Sequence, residues 1–138
     1  MPILGHNILK IEFEKLQTLG GKIEVSLRPT IRNLRLGEMH LPSGKVKGIE
    51  VDVDYIITYS PEVARASIKV RVFYVPRNKE DIDNILDEWE DRKVLPGELV
   101  AEVVNFTTSE LMPIAMYIAK EMRIPYPVPL PRAVVRGE

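Results

Sequence analysis

Three carboxylates recur at every second position of the stretch GIEVDVDY: Glu50, Asp52 and Asp54. In a strand that spacing puts all three on one face, an oxygen-ligand set suited to a divalent cation. The neighbouring residues supply a competing account. Val51, Val53, Tyr55, Ile57 and Tyr59 alternate with these acids and Thr58. Ala64, Ala66, Ile68, Val70, Val72 and Tyr74 alternate with Arg65, Ser67, Lys69 and Arg71, which makes two half-buried strands. Residues 60–63, Ser-Pro-Glu-Val, connect them. Pairing Tyr59 with Ala64 sets Asp54 across from Lys69 and Asp52 across from Arg71. The same register stacks Val53 on Val70 and Tyr55 on Ile68. Opposite charges across an antiparallel pair contribute only roughly 0.2–1 kcal/mol each. A one-residue slip would nevertheless mismatch both faces, so the pattern selects this register. An ion-paired hairpin accounts for the three acids without a metal and is the preferred reading.

The remaining chemistry is sparse. His6 and His40 are the only histidines, far apart in sequence and without ligand spacing to a carboxylate. They read as surface or loop residues. Serines 26, 43, 60, 67 and 109 each have a local role in a strand, turn or cap. No P-loop, dinucleotide-binding or nucleophile-elbow glycine pattern occurs. Arg28, Arg32 and Arg35, with few aromatics between them, form at best a weak phosphate stripe. The segment DEWED, residues 87–91, is most simply a solvated helix face with Trp89 turned to the core. The other account of it is a negative surface that attracts basic partners. No catalytic residue, metal or cofactor is implied.

Composition narrows the classes. The 138 residues are 45% hydrophobic and 28% charged, enough for one domain, residues 1–138, with its own core. A net charge of −1 argues against a dedicated nucleic-acid binder. The apolar runs fall short of the roughly 20 residues of a membrane span. The N-terminus lacks the charged and apolar regions of a signal peptide, and the chain has no cysteine. The expectation is a soluble cytoplasmic protein.

Periodicity then places the elements. Leu9, Ile11 and Phe13 alternate with Lys10, Glu12 and Glu14, and Gly20-Gly21 ends that strand. Ile23, Val25, Leu27 and Ile31 continue a period of two until the parity slips after Asn33, which a bulge or a change of sheet would absorb. Pro29 puts this strand at an edge or bulge. Residues 37–48, GEMHLPSGKVKG, read as a loop. Ile82, Ile85, Leu86 and Trp89 form a helix face. A short helix over 98–104 follows. Thr107 and Glu110 fit a capping box for a last helix whose stripe is Leu111, Ala115, Ile118 and Met122, widened by Ile114. Pro113 falls early in that helix. The prediction is an α+β fold: a four-stranded antiparallel sheet over 7–17, 22–36, 47–59 and 63–75. Helices over 79–92, 98–104 and 109–123 pack on one of its faces.

Two features suit a sticky surface. Pro125, Pro127, Pro129 and Pro131 interleave with Tyr126, Val128 and Leu130, an extended apolar strip with little entropy left to lose on docking. Met112, Met116 and Met122 lie in one short helix, and methionine adapts to promiscuous apolar contacts.

The order of elements and the last third of the chain resemble the SecB-like protein-export chaperones. That family typically reads Asn-x-Leu-Phe-Pro-Tyr-Ala-Arg, a helix, then Phe-Pro-x-Leu-x-Leu-x-Pro. The matching positions are Asn105, then Leu111, Met112, Pro113, Ile114 and Ala115, and after the helix Tyr126 to Pro131. The likeness covers residues 7–131, with the motif confined to 105–131. The step from Asn105 to Leu111 is longer than the family norm, and the acidic insert around 79–93 is larger. The family's strong negative charge and polar tail, which dock on the export motor, are replaced by a net charge of −1 and RAVVRGE.

The resemblance implies four strands with a long crossover between the first two, a homodimer or homotetramer, and a groove for unfolded or precursor polypeptide. The candidate lining is Leu34, Leu36, Met39 and Leu41 from the central loop, with Met112, Met116, Tyr117 and Tyr126 from the C-terminal unit. The alternatives are a structural or adaptor oligomer of the same fold that binds one protein partner, and a divalent-cation site at Glu50, Asp52 and Asp54.

Overall fold

A computed structural model describes residues 3–17 and 21–128. Gly20 and the strip residues Pro129, Leu130 and Pro131 lie outside the described residues. Four strands precede two helices: β1 (Ile3–Lys15), β2 (Glu24–Leu41), β3 (Gly44–Ser60), β4 (Ala64–Tyr74), α1 (Asp81–Arg92) and α2 (Gly97–Met122). The strands form one antiparallel sheet in the order β1-β4-β3-β2. Consecutive strands β1 and β2 therefore hold opposite edges of the sheet. The fold is α+β. No helix among the described residues is long and apolar enough to cross a membrane.

The central hairpin has the register that its charges select: Asp52 pairs with Arg71, Val53 with Val70, Asp54 with Lys69 and Tyr55 with Ile68. Its apolar face (Val51, Val53, Tyr55, Ile68, Val70 and Val72) is fully buried beneath the helices. The parity slip is a bulge at Arg32, since Ile31 pairs with Val53 and Asn33 with Asp52. Pro29 lies in edge strand β2, where its missing N–H costs no ladder bond on the open side. A second extra residue, Leu9, separates the pairs Ile8–Val70 and Lys10–Lys69. Ile8 rather than Leu9 thus packs against the core, which corrects the expected alternation.

Two expectations fail, each for a physical reason. The segment 37–48 is not a loop: β2 and β3 run on to a two-residue turn, Pro42 and Ser43, with Leu41 paired to Gly44. Its glycines bend the ladder without ending it. Gly37 and Gly48 are register partners; the Glu50 side chain and the Phe73 ring crowd the space of a side chain at Gly37, and the Tyr74 carbonyl and the Phe73 ring crowd it at Gly48. Beyond them the apolar positions change face, from Leu34 and Leu36 to Met39, Leu41 and Val46. The hairpin tip curls over the outer face, and the Met39 methyl reaches Gly5 of β1, the far strand of the sheet. That cover explains why Phe73, on the side away from the helices, is only 7% exposed.

The second failure is the break between the expected helices 98–104 and 109–123, which are one helix of 26 residues. Thr107 is no cap. It is buried, its hydroxyl donates to the Val103 carbonyl at 2.8 Å, and it meets the Tyr55 hydroxyl. The Tyr55 hydroxyl also lies 2.8 Å from Thr108 Oγ1, so a polar cluster inside the core ties α2 to β3. Pro113 sits on the exposed side of α2, where the carbonyl it leaves unbonded faces water. The buried stripe is Leu99, Val103, Thr107, Leu111, Ala115 and Ala119. A strict four-residue repeat turns by about 40° per step on a 3.6-residue helix. Over the stripe that is roughly half a turn, so α2 presents a winding face to a twisted sheet. Ala119 belongs to the stripe, whereas Ile118 and Met122 are half-buried beside it.

Candidate functional site

Helix α1 packs against β2 at the sheet edge, and its contact face splits into two flanks. Ile82 and Ile85 are buried, while Leu86 and Trp89 are half-buried beside the core. Leu86 and Trp89 face Leu34 and Leu36 of β2 across a groove of about 380 Å³. Leu34 forms the covered end, and Leu36 is 56% exposed. Lys93, just past α1 in the left-handed conformation that ends the helix, holds its ammonium 4.8 Å from the centre of the Trp89 ring. Asn33, Arg35 and Glu90 complete a polar border.

The backbone beside the groove is as important as its side chains. Among the described residues β2 pairs only with β3, so its outer edge presents free N–H and C=O groups. In strand addition generally, an extended chain pairs with an open strand edge through main-chain hydrogen bonds while pockets beside the edge take alternate side chains.

Of the eight residues expected to line one groove, the structure brings only Leu34 and Leu36 together there. Met39 and Leu41 belong to the hairpin tip, and Met39 lines a separate cavity on the other face with Gly5 and Phe73. Met112 is buried in the main core. Met116 is half-buried on α2, and Tyr117 is exposed. Tyr126 packs on a second apolar cluster with Ile57 and Tyr59, where the Tyr59 hydroxyl donates to the Pro125 carbonyl at 3.0 Å. Trp89 and Leu86 are the lining residues that sequence reasoning missed. Their helical spacing marked a core-facing stripe but not which flank of it meets β2.

The three strand carboxylates face guanidinium groups. Arg71 Nε lies 2.8 Å from Asp52 Oδ1, Arg35 bridges Glu50 at 3.1 Å and Asp52 at 3.3 Å, and Arg32 bonds Asp54. Lys69 stands opposite Asp54 in register, yet the bulged Arg32 makes the contact. Arg32 and Arg35, read as a phosphate stripe, are thus partners of the acids. A cation at these oxygens would have to displace both arginines and Arg71. Each pair is part-exposed and contributes modestly to stability.

The two histidines line one cavity, with Glu38, Glu50 and Arg71. His6 stacks edge-on against Phe106 with ring centroids 5.2 Å apart, and its Nε2 is 3.9 Å from Glu110 Oε2. Among the described residues no cluster of three histidine, aspartate or glutamate side chains has metal-binding geometry. Comparison with family models, with curated proteins and with solved structures gives no match.

Proposed function

We propose that the chain is a non-catalytic polypeptide-binding protein, a SecB-like chaperone that holds extended, non-native segments along the β2 edge. The observation that carries this reading is the open edge of β2 beside the Leu36, Leu86 and Trp89 groove. Main-chain pairing is indifferent to client sequence, and an apolar groove gives non-directional affinity. Together they suit a holder of many unfolded segments better than a reader of one motif. A homo-oligomer fits the opposite edge, where β1 exposes Leu4, Leu9 and Ile11. A strand edge of that kind is ordinarily covered by a partner strand.

The purified protein is expected to slow aggregation of a chemically denatured model protein at stoichiometric ratios, with a solution mass of two or four chains. No effect at several-fold excess contradicts the proposal. A single tight partner in pull-downs, without general protection, selects the adaptor reading instead.

A further inference from the structure

The flank of α1 turned away from β2 borders a cavity of about 490 Å³, closed by the end of β4, the 76–78 turn, the 94–96 link and the first turn of α2. That volume lies within the range of roughly 300–1,000 Å³ typical of small-molecule pockets. Its floor is apolar, with Ile85 and Leu99 buried and Leu95 beside them. Arg77 is the one basic residue in its lining and pairs with Glu98 at 3.7 Å. The carboxylates of Asp81 and Glu88, which also line it, are left without an ion pair among the described residues.

Asp81 and Glu88 stand at i and i+7 of α1, two turns or about 10 Å apart along the helix, with Ile85 between them. That separation is too wide for one metal ion, whose oxygen ligands converge at about 2.0–2.6 Å. It is equally too wide for a single ammonium or guanidinium head to meet both carboxylates. The spacing matches two cations held apart by an apolar chain.

Tyr74 gives an independent sign that the space takes a ligand. The residue is 5% exposed and lines the cavity, and its hydroxyl makes no hydrogen bond among the described residues. Every fully buried side-chain oxygen or nitrogen among those residues has a partner. A hydroxyl without one therefore reaches open space, and the space beside Tyr74 is the cavity. Burial first, and then the carboxylates of Glu102 and Glu98, hold its phenol above the ordinary value against the opposing charge of Arg77. The group stays a neutral hydroxyl, whose oxygen accepts a hydrogen bond from a cationic donor.

An aliphatic diamine has the matching shape: two groups that only donate hydrogen bonds, joined by methylenes that leave water for an apolar surface. An anion would meet repulsion here, and a monoamine would leave one carboxylate uncompensated. We propose that this cavity binds a small linear diamine, with one ammonium at Asp81 and the other at Glu88. Its methylene chain lies on Ile85, Leu95 and Leu99, and the Tyr74 hydroxyl is a further acceptor. The site is separate from the β2 groove and does not rest on the polypeptide-binding reading.

The test is isothermal titration of the full chain with cadaverine and with pentylamine, which share one alkyl chain and differ by a single amino group. Cadaverine is expected to bind one to one and about tenfold tighter than pentylamine, a preference that salt weakens. Glu88→Gln and Asp81→Asn are each expected to bring cadaverine down to the pentylamine level, with thermal melts of the amine-free variants showing that they fold. Tyr74→Phe is expected to weaken both amines about threefold. Asp87→Asn removes the same charge from α1 outside the cavity and is expected to keep the wild-type preference. The inference is overturned by the absence of saturable cadaverine binding, by equal binding of the two amines to the wild type, or by a preference that survives in Glu88→Gln. A loss in Asp87→Asn as large as that in Glu88→Gln also overturns it, because the attraction would then be diffuse charge. None of these outcomes bears on the β2 groove.

Discussion

Replacing Leu36 by threonine is expected to weaken binding of an extended polypeptide about tenfold while leaving the melting temperature near the wild-type value. Leu36 is more than half exposed, so the free protein loses little buried surface on truncation. Threonine is β-branched and keeps the strand preference of an edge position. The bound state loses more, because a leucine buried by a client contributes about 1.5–3 kcal/mol and about 1.4 kcal/mol is tenfold in affinity. The substitution adds no charge beside Arg35, Glu90 or Lys93, so an affinity change reports apolar contact and not a new ion pair. Titration of a labelled extended peptide against both proteins, with parallel thermal melts, decides the matter. Unchanged affinity removes Leu36 from the site. An equal loss of affinity and stability makes it a core residue.

The second large effect is on the bent hairpin. Gly48→Ala is expected to lower stability by about 1–3 kcal/mol, the usual cost of overpacking. A Cβ there would lie 2.7 Å from the Tyr74 carbonyl oxygen and 2.8 Å from Phe73 Cζ. The first neighbour is backbone and cannot rotate away. Gly97→Ala serves as the opposite control. Nothing lies within 4 Å of a Cβ at that first residue of α2, so the change should add about 0.4–1 kcal/mol by restricting the unfolded chain. Urea midpoints of the two variants should move in opposite directions. A wild-type midpoint for Gly48→Ala would mean that Gly48 does not lie against the Tyr74 carbonyl and Phe73.

The same hairpin shows what was legible in the sequence. The β3–β4 register follows from the sequence because Asp52, Asp54, Lys69 and Arg71 form a two-sided code that one slip destroys. Parity locates a slip near Asn33 but leaves a bulge and a change of sheet open; the pairing of Ile31 with Val53 and Asn33 with Asp52 makes it a bulge at Arg32. The stretch 37–48 misleads because glycine marks both loops and bends, and one strand read alone cannot show that Gly37 and Gly48 face each other. Thr107 misleads for a related reason: a threonine followed by glutamate three positions on looks like a cap, and only the placement of Tyr55 beneath it reveals an internal polar contact.

The site was legible by half. Leu34 and Leu36 stand out as apolar residues after a parity slip, next to a chain that bends. Their partners Leu86 and Trp89 depend on sheet order, which puts β2 at an edge with α1 along it. Local periodicity carries no information about which strand a helix flank meets. Met112 drew notice as an adaptable apolar residue, yet it is core, since a methionine stripe has the same spacing whether it is covered or open.

The most direct test of polypeptide binding at the groove is the emission of Trp89, the only tryptophan in the chain. Titration with a tryptophan-free, extended polypeptide is expected to shift that emission to shorter wavelength in a saturable way, as the client excludes water from the ring. Leu36→Thr should move the same curve to about tenfold higher concentration. A Trp89 signal that stays constant while an independent label shows the polypeptide bound would contradict the assignment of this groove.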